Sequence, residues 1–522
     1  MRVRRHTPVG HGEVLTEPAY SLWAELAAEN AARTATWTTT LDGVPLRELR
    51  DAARAEAMAA AEEFSAGMGV PISTGSDPRE LIVMTGHQPE LYHPGIWVKD
   101  FLLQRLAEET GAAAIDVVVD SDGFDRVELR TPCFKTGVGR CAAVLAESAP
   151  DGCYARTPSP DPVALAAFCD AGREALATLP APALTRHFDG FCVELTRACA
   201  EYDDLAAAIT VARRRYEAPA GTTYLELPLI RQASTPSFLR FVTHLALHSD
   251  DFAEAYNSEL AAFRERTGTR SAAQPFPNLG KTSDAIELPL WSITEGRRRT
   301  VWVRRGLAPA LMADDAVLVE LHADPADAFE RLLAANLTLA PKALALTMFE
   351  RVFVADLFIH GVGGGRYDQV TDGVISRFFG IEPPRFVVAS MTLYLPLGAH
   401  DVTAEEVAEV EQRLNRLTHN PDQLLGEMEF ESIAERDRVT ALAAEKCELV
   451  LAIASPDADK KSIGARIRSV NTEMAELMAP FIRETEAELA ELKTLRDAGE
   501  VLTDRTYPFC LWDPLEVADK VR

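Results

Sequence analysis

The chain has 522 residues, 47% of them hydrophobic and 25% charged, a balance that suits folded protein with large buried cores and excludes wholesale disorder. Its 79 acidic against 53 basic residues give a net charge of -26, a field that repels phosphate backbones and anionic membrane surfaces, so neither nucleic acid nor a membrane is expected as a partner. At roughly 100 to 200 residues per domain, this length predicts two to four structural units.

The first 75 residues read as a helical preamble, with the Ala-rich run Leu46 to Met68 rich in helix formers. Residues 76–398 follow as an α/β body. Leu81 to Met84 is an apolar run of buried-strand type that ends at Thr85-Gly86-His87-Gln88-Pro89. A helix is predicted from Gly95 to a stop at Thr110-Gly111, and Ala114 to Val119 gives a second strand ending at Asp120-Ser121-Asp122-Gly123. The connection has the length of a β-α-β unit, which pairs its strands in parallel and collects ligands beyond their C-terminal ends.

Residues 150–270 read as a mainly helical insertion, including helices over Asp161 to Thr178 and Ser237 to Thr267, with an extended stretch at Tyr224 to Leu229. Ala285 to Trp291 and Thr300 to Val303 suggest a hairpin, and its Arg297-Arg298-Arg299 run reads as a solvated tip. From 399 to 522 the pattern changes to a helical arm and tail. Thr403-Ala404-Glu405-Glu406 has the form of a capping box, and Val407, Val410, Leu414 and Leu417 follow at spacings of three and four. Ile463, Ile467, Val470, Met474, Leu477 and Phe481 repeat the pattern, predicting two or three long antiparallel helices and a homodimer formed through them.

The eight cysteines are scattered, with no Cys-x-x-Cys pair, and read as reduced thiols. The basic opening is followed by no apolar segment, and no stretch reaches the roughly 18 apolar residues of a membrane span, so a cytoplasmic location is expected. His244 and His248 lie four apart, but no acidic residue completes a His-Glu-x-x-His arrangement, and the pair reads as a surface or internally satisfied one, with no metal site expected.

Two segments carry the chemistry. Thr85 to Gly95 packs Gly86, His87, Gln88, Pro89, His93 and Gly95 into a strand-to-helix turn, where free amides near Gly95, together with Lys99 and the histidines, can face an anion. A tight turn whose histidines only cap backbone groups is an equal reading. In Leu357 to Asp368 an apolar run opens into Gly361, Gly363, Gly364 and Gly365, with His360, Arg366 and Tyr367 as polar or stacking contacts to a nucleotide or substrate. Close packing against another chain segment is the alternative. The order of residues matches neither a Walker loop nor a dinucleotide fingerprint. Asp120, Asp122 and Asp125 follow the second strand, where a carboxylate can position an amine, a hydroxyl or a magnesium ion, or can simply cap a turn.

Thr85-Gly86-His87-Gln88-Pro89, then Pro341-Lys342-Ala343-Leu344, then Phe358-Ile359-His360-Gly361-Val362-Gly363-Gly364-Gly365-Arg366-Tyr367 resemble, in order and spacing, the bacillithiol biosynthesis cysteine-adding enzyme. That resemblance implies a Rossmann-like body, a coiled-coil arm for dimerisation, bound ATP or ADP, and a ligase or transferase that adds cysteine or another amine-bearing group to a small, sugar-containing acceptor. His87 stands where the family's turn has Gln, and Asp120-Ser121-Asp122-Gly123-Phe124 replaces a Glu-Asp-His-Asp-Phe segment. The missing histidine leaves His87, His93 or His360 to move protons, or else points to different chemistry. His87, His360 and Asp120 are therefore the expected catalytic residues, and a non-catalytic ligand-binding scaffold is the alternative function.

Overall fold

The computed structural model describes residues 7–74, 80–135, 137–269, 271, 276–306, 309–398, 402–427, 430, 432–455 and 457–522. The basic opening, the expected boundary at 75/76 and residue 399 lie outside the described residues. The chain is a mixed α/β protein that divides into two compact units. The first takes residues 1–134, 140–394 and 505–522, and the second takes 135–139 and 395–504. The tail from 505 onward thus belongs with the body in space rather than with the helices that precede it in sequence.

A six-stranded sheet organises the first unit, in the order Val14–Glu17, Val387–Met391, Leu357–His360, Ile82–His87, Ala113–Val118, Leu225–Pro228. Five of these strands are mutually parallel, and Val14–Glu17 closes one edge antiparallel to Val387–Met391. The inner strands read as unbroken apolar runs because helices cover a parallel sheet on both faces, and Ile82, Val83, Met84, Ile115, Val117 and Ile359 are almost wholly inaccessible. One difference from the sequence reading follows: the N-terminal region contributes an edge strand as well as helices. The extended stretch expected at Tyr224 to Leu229 is present as Leu225–Pro228, the opposite edge strand. The helix Leu46–Ala66 is held to the sheet by Arg50 and Arg54, which pair with the two carboxylate oxygens of buried Asp356 at 2.7 and 3.0 Å.

The strand Ile82–His87 runs through Thr85 and Gly86, and the following helix spans Pro94–Thr110, ending at left-handed Gly111. The stretch expected as one helix over Ser237 to Thr267 breaks at His248 into Pro236–Leu247 and Ser249–Thr267. A second, five-stranded sheet contains the hairpin Ala285–Thr294 and Arg297–Arg304, turned by Glu295 and Gly296 at positive φ. The reading of all cysteines as free thiols is corrected. Cys133 and Cys141, on the two strands Arg126–Phe134 and Val138–Glu147, form a disulfide with Cα atoms 5.8 Å apart. Sequence spacing carries no signal for a bridge made by strand pairing.

Among its described residues the second unit has four long helices, Ala404–His419, Ile433–Ile453, Lys460–Leu477 and Ala479–Leu502. The first packs on the fourth and the second on the third, around a small core of Leu417, Val439, Leu442, Val470 and Met474. The capping box is formed, with the Thr403 hydroxyl accepting from the Glu406 amide and the Glu406 carboxylate accepting from the Thr403 amide. The expected single helix through Phe481 is interrupted at Met478, ahead of Pro480, which sits in the first turn of the next helix. Among the described residues no helix is long and apolar enough to cross a membrane.

Candidate functional site

Parallel strands that end together leave their last side chains on one rim. His87 ends Ile82–His87 and His360 ends Leu357–His360, and both line a single cavity of about 710 Å³ at that rim. Of the residues singled out in the sequence, Gly86, Gln88, His93, Gly95, Lys99, Asp122, Gly361, Gly363 and Gly364 line the same cavity. Thr85, Pro89, Asp120, Gly365, Arg366 and Tyr367 do not.

The turn after His87 is built around internal polar contacts. Lys99 is buried, and its ammonium donates to the Thr85 hydroxyl at 3.0 Å and the Gly86 carbonyl at 2.9 Å, while burial lowers its pKa. Gly86 relieves a crowded spot, since a Cβ there would stand 3.0 Å from the Val117 carbonyl of the neighbouring strand. His87 is buried with its ring edge-on to Tyr92, and burial, with the charges of Lys99 and Arg213, holds its pKa well below the usual histidine value. It is therefore a neutral imidazole at neutral pH. Its Nδ1 lies 3.5 Å from Asp116, which shares Arg213 with Asp100 and Glu226 in a fully buried ionic cluster.

The expectation that free amides near Gly95 face an anion is corrected. His93 Nδ1 accepts from the Gly95 amide at 3.0 Å, and the His93 carbonyl accepts from Ile96 and Trp97, so this helix start is already satisfied. The open helix start is the other one. The 18-residue helix Val362–Phe379 has no side-chain cap, and the amides of Val362, Gly363 and Gly364 have no partner among the described residues. These amides belong to cavity-lining residues and carry the positive end of the helix dipole. Gly361 and Gly363 have open space where a Cβ would be, whereas Gly365 packs against the sheet, its Cβ position only 2.3 Å from Val388 Cγ2.

Three of the remaining residues have structural partners elsewhere. Asp120 accepts from the Ile230 amide at 3.0 Å, and burial pushes its carboxyl up to about 7. Tyr367 packs on Phe263 and Phe276, and Arg366 lies over the Tyr367 ring. Asp122, in contrast, lines the cavity while accepting from Gln88 Nε2 at 2.9 Å and Arg298 Nη1 at 3.1 Å. Arg298 is therefore not a solvated tip. It also stacks on Trp291, whose ring takes Lys342 as well, at 4.3 Å.

No protein-family model matches the chain, and no curated protein matches it.

Sequence reasoning missed Arg505 and Trp291. The Arg505 guanidinium donates to Ser390 Oγ at 3.0 Å and to the Met391 carbonyl, with no carboxylate in ion-pairing range among the described residues. It occupies the space that a Cβ at position 95 would fill, so Gly95 is glycine to admit it. Neither residue stands in a motif, and only the folded chain brings them to the cavity. The wall thus offers an uncapped helix start and three cations, with Lys342 partly offset by Glu287 at 2.8 Å and with Trp291 as a flat apolar face.

Proposed function

We propose that the protein is a ligase- or transferase-like enzyme that joins cysteine or another amine-bearing group to a small, sugar-containing acceptor, using a Rossmann-like body and a dimerising, coiled-coil-like helical arm. The observation that carries this reading is that His87 and His360 share one cavity with the uncapped start of the glycine-rich helix. The volume lies within the roughly 300 to 1,000 Å³ typical of small-molecule sites.

In this reading the amides of Val362 to Gly364, with Arg505 and Lys342, hold an anionic group such as a nucleotide phosphate or an acceptor carboxylate. Trp291 offers a stacking face to a base or sugar ring. Joining an amine to an electrophilic carbon requires the amine to lose a proton and the departing oxygen to gain one. A neutral buried His87 suits the first task, and His360, oriented by Asp368 at 3.0 Å, suits the second. Asp122, Gln88 and Arg298 form a hydrogen-bonded row able to orient a hydroxyl or amine.

Calorimetric titration with ADP and ATP tests the reading. Binding is expected in the wild type and in His87→Ala, whose missing imidazole belongs to proton transfer rather than to the anion. Absence of nucleotide binding in both removes the nucleotide part. Metabolite profiling of a deletion strain then decides the chemistry, because unchanged pools of amine-acceptor conjugates remove the enzyme reading altogether.

A further inference from the structure

We propose a second site, independent of the sheet-edge cavity, in which Asp42, His244 and His248 bind a divalent transition-metal ion such as zinc. Asp42 occupies the turn between the short strands Thr40–Leu41 and Val44–Pro45, at a φ of 51°. His244 lies in the last turn of Pro236–Leu247, and His248 stands where that helix gives way to Ser249–Thr267. A separation of four residues stacks side chains along one helical face, and the two imidazole centroids are 4.6 Å apart.

The donor atoms converge. His244 Nδ1 lies 3.0 Å from one Asp42 oxygen, His248 Nε2 lies 2.8 Å from the other, and all three donors fall within 4.8 Å of one another. Bonds of about 2.0 to 2.2 Å from zinc to imidazole nitrogen and carboxylate oxygen place neighbouring ligands about 3.4 Å apart in a tetrahedron, a spacing that lies between the two Asp42–histidine distances and the 4.8 Å limit on the trio, so side-chain adjustment without backbone movement closes the site round an ion. Two imidazoles and one carboxylate suit zinc, cobalt or iron(II) and disfavour magnesium and calcium, which prefer oxygen ligands.

The surroundings match a ligand site. The His244 ring packs against Phe378 and Phe379 and is largely buried, so it is held in place before an ion arrives. A cleft of about 360 Å³ opens beside the two histidines, with Asp251, Glu254 and Arg377 on its walls, leaving room for water or a further oxygen ligand. Among the described residues the other cluster of suitable donors, His87, Asp100 and Asp116, already holds Arg213 and lies beside Lys99, whose charges oppose a cation.

Two imidazoles sharing a carboxylate also describe a metal-free clamp, and a titration separates the two. The full-length protein, freed of any affinity tag and stripped with chelator, is titrated with Co²⁺. One equivalent is expected to bind, to produce visible d–d absorption and to be displaced by Zn²⁺. His248 is half exposed, so His248→Ala is expected to keep the wild-type circular dichroism while weakening Co²⁺ binding at least fiftyfold. Asp42→Asn, which keeps a hydrogen-bonding oxygen but loses the charge, is expected to weaken it at least tenfold. Absence of stoichiometric binding in the wild type overturns the proposal, as does equal binding in a folded His248→Ala variant.

Discussion

His360 Nε2 lies 3.0 Å from Asp368 Oδ2, and the same buried carboxylate also receives the guanidinium of Arg351 and the hydroxyl of Thr347. Arg351 and His360 hold the Asp368 carboxyl below the usual carboxylate range despite its burial. One side chain thus orients a cavity histidine and neutralises a buried arginine.

Removing that carboxylate leaves Arg351 with Asp372 as its carboxylate partner among the described residues, beside the Pro384 carbonyl. Asp368→Ala is expected to lower folding stability by about 3 to 5 kcal/mol, the range for breaking a buried ion pair from one side. Denaturant unfolding of both proteins measures it, and a loss below 1 kcal/mol would show that the cluster contributes little.

Arg505 has no carboxylate partner, so its charge is available to a ligand. Arg505→Met is expected to weaken ADP binding at least tenfold and to flatten its dependence on salt. Calorimetry at two ionic strengths checks this. A purely structural role would instead lower the melting temperature and leave affinity unchanged.

The glycines of the second loop differ in what surrounds them. Gly365→Ala is expected to cost about 1 to 3 kcal/mol, because the new methyl group meets Val388. Gly363→Ala has open space and gains helix propensity, so it is expected to be neutral or stabilising by up to about 1 kcal/mol. Thermal unfolding of the two variants side by side reads the contrast, and equal costs would contradict the packing described here.

Glu350 is fully buried with Gln232 as its hydrogen-bonding partner, and burial pushes its carboxyl up to about 8. The unfolded chain releases that proton near pH 4.3. Because the folded value is the higher one, the group's contribution is greatest below about 4.3 and declines as pH rises toward 8. Glu350→Gln escapes the decline. Its stability relative to wild type is expected to improve between pH 5 and pH 8.5 by on the order of 3 kcal/mol. Parallel denaturant curves that ran without such a change would place Glu350 in contact with water.

Much of the body was legible because its strands are buried on both faces and so appear as short apolar runs bounded by glycine, as at Ile82–His87 and Ala113–Val118. The two chemistry-bearing loops announced themselves by glycine and histidine at strand ends. What the sequence hid depends on partners remote along the chain. His93 capping its own helix removes the amides near Gly95 from ligand duty, a choice of rotamer that spacing does not record. Arg298 read as an exposed tip because Asp122 and Trp291, which hold it, come from other elements. Likewise nothing near His244 signals Asp42, and only strand pairing brings Cys133 to Cys141.

The placement of Arg505 also bears on how the cavity comes into being during synthesis. Every strand of the main sheet has left the ribosome once Met391 has emerged, yet the guanidinium that fills the space beside Gly95 follows only after residues 395–504 have been translated. A nascent chain can therefore assemble its sheet early and still lack a complete binding wall until that late segment returns.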